Sequence, residues 1–441
     1  MIRLFPAKHQ KVLRLSLPAA TNSLLDMLQV ITDLVMVGSL SAYAIAAVGL
    51  GLQSLMFMFA VLTMLHVGTS ALLSRFVGAR LYTRASMGLS TLLMFAFVVS
   101  IPMMIVWYFG SSYIYVWLDT SKEVQNLGFD YVQTLSYMMP FVFIKLVFVS
   151  ALSASGDTKT AMKVKLVSIG LNILFNYILI FGIGSFQGYG VLGASLGTVL
   201  VNLFEFIVYS TLYLKSKMIY KPLFRYSRKL LTRALRVGIP SSIERSLTFG
   251  SFMLFTAIIA HYGTSALAGY QIGLRIEGLA FMPGMGFTIA AMALMGQGLG
   301  AKKPQQSYDD VLLTLKYASA LMFGLSFFMI FMPYYLVRIF SDDADVIQEA
   351  SLYLRVVGLS QIPLAFSFVL SGALRGAGDS KKVLHINIIS LWVLRIIPAF
   401  VLTWYFEDII YVYIAMIADT TFKAIWLWRR FSSRVWQKIR V

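Results

Sequence analysis

The chain of 441 residues contains no cysteine and is poor in charged side chains, which make up 13% of it. Without cysteine it can form no disulfide framework, no thiolate metal site and no cysteine nucleophile. Soluble domains carry roughly 25% charged residues, so this chain has too few polar side chains to cover a water-facing surface. The hydrophobic share of 59% and the mean hydropathy of +0.77 instead indicate a membrane protein.

Histidine is also scarce, and the four histidines are scattered along the chain without a neighbouring group of acidic residues. This distribution argues against a membrane enzyme, and the absence of a Walker A motif argues against a nucleotide-driven pump. We therefore expect no enzymatic activity and no cofactor. The sequence offers no firm metal site.

Long apolar runs are what the sequence has in abundance. A helix needs about 20 apolar residues to cross the hydrocarbon core, so the chain can hold about twelve spans. The runs fall at 14–38, 44–69, 85–110, 126–152, 160–185, 189–214, 236–262, 266–296, 308–333, 346–373, 382–405 and 409–428. The predicted fold class is an all-α polytopic membrane protein.

The net charge of +18 comes from basic residues that follow every second apolar run. Arg75, Arg80 and Arg84 follow the second run, whereas the loop after the ninth run carries Asp342 and Asp343. Basic residues collect in the cytoplasmic loops of membrane proteins. The pattern thus predicts a multi-pass protein of the inner membrane with both termini in the cytoplasm, and it indicates a lipid bilayer rather than nucleic acid as the partner.

The two sets of six runs resemble each other at a single offset of 222 residues. Pro18 corresponds to Pro240, and the word VGAR at 77–80 corresponds to LGAK at 299–302. The words ALSASGDT and ALRGAGDS match at the same offset. Six spans per half give both halves the same orientation, so we expect two parallel repeats, an arrangement of secondary transporters.

This repeat predicts three parts of the chain. They are an N-terminal lobe at 1–214, a cytoplasmic linker at 215–235 and a C-terminal lobe with a basic tail at 236–441. The linker is basic and amphipathic, so we expect it to rest on the inner leaflet.

The chain resembles the multidrug and toxic-compound extrusion (MATE) transporters over nearly its whole length. The resemblance is carried by LPAATNSLLDMLQVITDLVMVGSL, by the repeated GAR/GAK and GDT/GDS words, and by GLRIEGLAFMPGMGFTIAAMALMGQGLGA. This last segment resembles the DNA-damage-inducible-protein-F-like subgroup. The resemblance implies a monomer with a V-shaped pair of six-helix lobes. It also implies that H⁺ or Na⁺ enters while small organic cations, bulky and amphipathic, leave.

Ionisable residues inside spans are functional candidates, because burying them costs several kcal/mol. Asp33 lies in the middle of the first span, where the resemblance places an ion-responsive carboxylate, and Asp26 lies seven residues earlier on nearly the same helix face. Asn172 and Asn176 lie one turn apart in the fifth span, and the resemblance implies that they share a hydrogen-bond network with Asp33. These four residues are the predicted proton or cation site, with Na⁺ near Asp33 as one possibility. The alternative is packing through amide hydrogen bonds.

Glu244, Arg275 and Glu277 are the candidates for a polar network or substrate site in the C-terminal lobe. We expect Arg275 to pair with Glu244. The resemblance places two acidic residues of a sodium-linked subgroup in this lobe, but Thr248 and Leu364 occupy those positions here. This departure favours proton coupling, or a cation site in the N-terminal lobe.

The remaining acidic residues in or near spans are given structural roles or none. Asp157 and Asp379, in the GDT and GDS words, are expected to cap the helices that follow them. Glu205 and Asp419 are 214 residues apart, so we expect them not to be repeat equivalents.

The predicted function is a secondary multidrug antiporter that works by alternating access. The alternative is a flippase for lipids or lipid-linked oligosaccharides from the same superfamily, but such flippases tend to have a strongly cationic cavity or extra spans.

Overall fold

The computed structural model describes residues 6–215, 218–406 and 408–439, which are almost entirely helical. In that part of the chain ten helices are long and apolar enough to cross a membrane. The count rises to twelve when the two helix pairs bent by 50° and 53° are each taken as one span. The predicted all-α fold with about twelve spans is confirmed.

The first half of the chain contains eight helices and one short hairpin. They are α1 (Ala7–Gly38), α2 (Ala42–Ser54), α3 (Met56–Gly78), α4 (Tyr82–Trp117), α5 (Lys122–Ser136), α6 (Met139–Ser155), α7 (Thr158–Phe181), the antiparallel β1 (Gly182–Ile183) and β2 (Phe186–Gln187), and α8 (Val191–Lys215).

The second half contains nine α-helices and two shorter helical segments. They are α9 (Arg228–Ala260), α10 (Thr264–Gly300), α11 (Pro304–Phe331), α12 (Pro333–Arg338), α13 (Ala344–Leu359), α14 (Gln361–Gly376), α15 (Ser380–Ile389), a π-helical segment (Ser390–Ile396), α16 (Ile397–Tyr405), α17 (Ile410–Ser432) and a 3₁₀ turn (Val435–Lys438).

The chain divides into two compact units, and the division does not fall at the predicted linker. One unit runs from Thr21 to Gly238, and the other combines the chain up to Ala20 with the chain from Ile239 onward. The first three turns of α1 therefore belong with the second half. We call the units the N-lobe and the C-lobe.

Close packing accounts for the position of the α1 start within the C-lobe. Val12 and Leu15 are buried against side chains of α10. Gly286 of α10 permits the approach, since a Cβ there would lie 2.3 Å from Ala20. On the polar face of α1, Lys11 forms an ion pair of 2.6 Å with Asp310.

The linker at 218–227 is irregular, and it is hydrogen-bonded to the N-lobe helices. The Ser90 hydroxyl accepts the backbone N–H of Leu223 at 2.6 Å, and the Tyr220 hydroxyl donates to the Ala151 carbonyl at 2.6 Å. Burial raises the pKa of the Tyr220 phenol above its usual range. The side chains of α4 and α6 thus hold this segment in place, and its contact with a leaflet stays a prediction.

The two GDT/GDS aspartates behave differently. Asp157 caps α7 as expected, because its Oδ1 accepts the backbone N–H of Thr160 at 3.0 Å. The prediction is wrong for Asp379, which precedes α15 without a side-chain cap. Its carboxylate accepts from Nε of Arg430 at 2.7 Å instead, since a charged donor is a stronger partner than a neutral backbone amide.

Candidate functional site

The predicted residues Asp33, Asn172 and Asn176 meet inside the N-lobe. Asp33 lies on α1 and both asparagines lie on buried positions of α7. Nδ2 of Asn176 donates to Asp33 Oδ1 at 2.6 Å and lies 3.4 Å from Asn172 Oδ1. The i, i+4 spacing of the asparagines puts both amides on one face of α7, as helix geometry requires.

One buried oxygen of this group is left without a partner. Asn176 Oδ1 is buried and makes no hydrogen bond within the described residues. It points to α8, where only glycine fits, since a Cβ at Gly197 would lie 2.1 Å from it. A buried acceptor without a donor costs about 1–3 kcal/mol, so a proton donor or a cation at this point would be stabilised.

Asp26, also predicted for this site, lies on the same helix as Asp33 but has a different kind of partner. Lys165 of α7 donates to Asp26 Oδ1 at 2.6 Å and to Gln29 Oε1 at 2.7 Å. The Asp26 side chain is 54% exposed, whereas that of Lys165 is 12% exposed. Asp26 is thus neutralised by an ion pair, and Asp33 is not.

Three further charged residues complete this region. Glu205 of α8 is buried and pairs with Lys145 of α6, and Lys165 Nζ lies 3.9 Å from its other oxygen. Lys145 also donates to Asn202 Oδ1 at 2.5 Å. We call Asp26, Asp33, Glu205, Lys145 and Lys165 the N-lobe cluster.

The N-lobe cluster has an excess of negative charge. It contains three carboxylates and two ammonium groups, so its net charge is −1 when every member is ionised. A buried site of low dielectric constant disfavours an unbalanced charge. The cluster is therefore suited to hold one proton or one monovalent cation, and Asp33 is its carboxylate without an ion pair among the described residues.

In the C-lobe, Glu244 is paired with a different arginine from the one predicted. Arg375, at the end of α14, donates to Glu244 Oε1 at 2.6 Å, and Asn387 donates to the same atom at 2.5 Å. Arg275 lies on an exposed position of α10. The predicted Arg275–Glu244 pair is wrong because the two side chains lie on helix faces that do not meet.

Glu277, the third predicted C-lobe residue, accepts a hydrogen bond of 2.5 Å from the Tyr353 hydroxyl. Asp419 of α17, to which the sequence assigned no role, is fully buried and pairs with Arg395 at 2.8 Å and with Lys423 at 3.4 Å. Arg395 lies on the π-helical segment, and such segments occur frequently at functional sites. We call Glu244, Glu277, Asp419, Arg375, Arg395 and Lys423 the C-lobe cluster.

Glu205 and Asp419 do correspond, contrary to the prediction. Each lies on the last spanning helix of its half and pairs with a cation on the preceding span, Lys165 or Arg395. Nine residues separate α7 from α8, but only four separate α16 from α17. The shorter connection accounts for most of the reduction of the offset from 222 to 214, which concealed the relation.

No group of three or more His, Cys, Asp or Glu side chains suited to a metal ion occurs in the described ranges. Neutral oxygen donors around one carboxylate, as at Asp33, Asn172 and Asn176, are instead the ligand type that hard cations prefer.

The sequence model of the MatE family matches residues 18–178 and, a second time, residues 240–401. The chain belongs to the MatE family. The predicted family is confirmed, and the two matches begin 222 residues apart, which is the offset of the repeat (240 − 18 = 222). This MatE protein is a multi-pass membrane transporter and not an enzyme, whereas the narrower subgroup stays a prediction.

Relatives of this MatE transporter include named multidrug proteins. It is 29% identical to a probable multidrug resistance protein NorM of Thermotoga maritima over 98% of this chain and 94% of that one. It is 24% identical to the multidrug export protein MepA of Staphylococcus aureus over 84% of this chain and 82% of that one.

Two solved structures share the fold. An outward-facing multidrug resistance MATE family transporter superposes with a TM-score of 0.91 at 22% identity, covering 98% of this chain and 97% of that one. A MOP superfamily transporter from Pyrococcus furiosus, whose binding pocket has reverse polarity, superposes with a TM-score of 0.89 at 24% identity, covering 97% and 96%. At these identities the likeness concerns the fold alone.

Proposed function

We propose that this transporter is a secondary antiporter that exports amphipathic organic cations in exchange for H⁺ or Na⁺ by alternating access. The coupling ion binds at Asp33. Multidrug resistance and export, named for the relatives, are the functions that this proposal transfers to the chain.

The observation that carries the proposal is the pairing state of Asp33. The carboxylates of Asp26, Glu205, Glu244 and Asp419 are all neutralised by Lys or Arg side chains. Asp33 instead accepts from a neutral amide, Nδ2 of Asn176, at 2.6 Å. An ionisable group that is buried in a span and not neutralised marks an ion pathway or a proton relay.

The charge excess of the N-lobe cluster supports an exchange of one charge for another. A proton or Na⁺ at Asp33 cancels the excess of −1, and so does a cationic substrate bound nearby. Two cations that satisfy the same charge compete, because binding of one removes the stabilisation of the other. Such competition is what antiport requires.

Both H⁺ and Na⁺ are compatible with the donors at this site. A proton needs only the Asp33 carboxylate, and Na⁺ would use that carboxylate with the unpartnered Oδ1 of Asn176 and the Oδ1 of Asn172. Thr248 and Leu364 stand at the two C-lobe positions where the family's sodium-linked subgroup has acidic residues, which favours the N-lobe as the coupling site.

The proposal includes a location. The transporter acts as a monomer in the inner membrane with both termini in the cytoplasm, as the basic residues after every second span predict.

Transport in proteoliposomes tests the coupling. Uptake of a fluorescent organic cation such as ethidium is measured under a pH gradient and, separately, under a Na⁺ gradient. The wild type is compared with Asp33→Asn and with Asp130→Asn, a matched control on an exposed position of α5 in the same lobe. We expect one gradient to drive uptake in the wild type and in Asp130→Asn, and Asp33→Asn to lose that dependence.

The outcomes separate the candidate functions. If Asp33→Asn keeps the full gradient dependence, the coupling site lies elsewhere and Glu244 is the next residue to test. If neither gradient moves any cation in the wild type, the antiporter is rejected. A flippase assay with a fluorescent lipid then decides between the proposed function and its alternative.

A further inference from the structure

A basic cavity lies in the C-lobe, far along the chain from the N-lobe cluster, and the transport function does not use it. Its volume is about 300 Å³, and it lies between the start of α15 and the end of α17. Its walls include Lys382, His385, Ile386, Trp426, Arg429 and Arg430. Cations, one imidazole and an indole thus surround a space large enough for a small polar group.

The charges of this cavity are mostly not balanced by acidic side chains. Arg430 donates through Nε to Asp379, at 2.7 Å. Lys382 and Arg429 are exposed, and within the described residues neither forms an ion pair. The N-terminus of α15 adds a partial positive charge on the same side. An anion of one or two charges is therefore the complementary ligand, and phosphate suits a mixed Arg and Lys site.

An apolar strip continues from the cavity along the same two elements. On α15 and the segments after it, Ile389, Val393 and Ile397 are 41%, 50% and 54% exposed and follow one another at helical spacing. On α17, Phe422 and Ile425 are 41% and 48% exposed. The ligand that matches both surfaces is amphipathic, with an anionic head and hydrocarbon chains.

The half-buried Trp426 marks the boundary between the two surfaces. Tryptophan is enriched at the level of the lipid headgroups, where its ring is apolar on one side and its N–H is wet. Basic pockets between spanning helices at that level bind acidic phospholipid headgroups. A zwitterionic headgroup fits less well, because its ammonium group would face the cations of the cavity.

We propose that the cavity between α15 and α17 binds the phosphate headgroup of an anionic phospholipid, whose acyl chains lie along the apolar strip below it. Only the assignment to the inner leaflet rests on the proposed function, through the cytoplasmic position of the C-terminus. The binding itself requires neither transport nor that orientation.

Native mass spectrometry of the full chain in detergent tests the binding. Phosphatidylglycerol is titrated against phosphatidylcholine for the wild type, for Lys382→Gln with Arg429→Gln, and for Lys381→Gln with Lys438→Gln. The last pair is the matched control, since it removes two exposed lysines from the same end of the lobe but outside the cavity wall. A basic residue near an anionic headgroup contributes about 1 kcal/mol, so the cavity pair should lose about thirtyfold in affinity for phosphatidylglycerol and the control pair less than about threefold.

Single substitutions Lys382→Gln and Arg429→Gln, at about fivefold each, keep the test valid if the double variant does not fold. Equal affinity for the two lipids, or an equal loss in the control pair, would overturn the proposal. Glycerol 3-phosphate serves as the arm without acyl chains. If it binds as tightly as phosphatidylglycerol, the cavity is a site for a free phosphate and the lipid is rejected.

The leaflet is tested apart from the binding. Because the chain contains no cysteine, Lys438→Cys provides a single thiol for a membrane-impermeant maleimide. Labelling only from the cytoplasmic side supports the inner leaflet. Labelling from outside rejects the proposed orientation and leaves the binding result unchanged.

Discussion

The N-lobe and C-lobe clusters are built on the same repeat but differ in charge. The N-lobe cluster has three carboxylates and two cations, whereas the C-lobe cluster has three carboxylates and three cations. Arg245, which stacks on Phe249 in the same lobe, adds a further cation to the C-lobe. Only the N-lobe thus has a negative charge to be neutralised by a transported cation.

Individual positions show how the halves diverged. Across the offset of 222, Asp33 corresponds to Phe255, which is 1% exposed in the C-lobe core. Lys165, which neutralises Asp26, corresponds to Asn387, which donates to Glu244. The duplicated fold kept a polar contact between the same helices, but it retained an unpaired carboxylate in one copy only. Transport chemistry can therefore be confined to one lobe while the other serves as a stable frame.

The largest effect is expected from Lys165→Met, which leaves Asp26 without its cation and Glu205 with only one. Breaking a buried ion pair on one side costs about 3–5 kcal/mol, so the free energy of unfolding should fall by that amount. Denaturation in mixed micelles of dodecyl maltoside and sodium dodecyl sulfate measures it. Lys163→Met, on an exposed position of the same helix, is the control and should be nearly neutral. An equal loss in both variants would show that the network does not depend on Lys165.

The second expected effect separates the lobes. Glu244→Gln leaves Arg375 without a counter-charge and should lower the free energy of unfolding by about 2 kcal/mol. Asp33→Asn removes an unbalanced charge and keeps an acceptor for Asn176, so it should change stability by less than about 1 kcal/mol. The same micelle assay compares them. Reversed magnitudes would contradict the assignment of structure to the C-lobe and coupling to the N-lobe.

A third substitution sharpens the charge count. Asn176→Asp places a second carboxylate beside Asp33 and increases the excess of negative charge by one. Two interacting carboxylates bind protons in coupled steps, so transport should depend on pH with a steeper slope, approaching two protons. Initial rates in proteoliposomes over a pH series measure the slope. Asn172→Asp tests whether the effect is specific to the direct neighbour of Asp33, and an unchanged slope in Asn176→Asp would reject the proton site.

The smallest effect is expected for Lys423→Met in the C-lobe. Asp419 keeps its pair with Arg395, so only an i, i+4 contact of 3.4 Å is lost. Such pairs contribute about 0.2–0.5 kcal/mol, and the free energy of unfolding should fall by no more than roughly 1 kcal/mol. Lys381→Met is the control. A loss as large as that of Lys165→Met would show that the C-lobe cluster is as sensitive to charge as the N-lobe cluster.

Much of the candidate site was predictable because helix periodicity acts over short distances. The spacing of Asn172 and Asn176 placed both amides on one face of α7, and the central position of Asp33 in an apolar run marked it as exceptional. Their contact follows once α1 and α7 pack together. The pairing of Arg375 with Glu244 was not predictable, because an arginine at the end of a helix can reach several neighbours and the sequence does not specify which one is near.

By itself the sequence determined the number of spans, the repeat and the family, since each depends on hydrophobic length or on words repeated at a fixed offset. Only the tertiary structure decided that the start of α1 packs in the C-lobe and that Lys165 joins Asp26 to Glu205. It also decided that Arg430 takes Asp379 from its helix cap. These outcomes depend on which helices are neighbours, and apolar side chains in a bilayer carry little information about that choice because lipid and protein contacts are chemically alike.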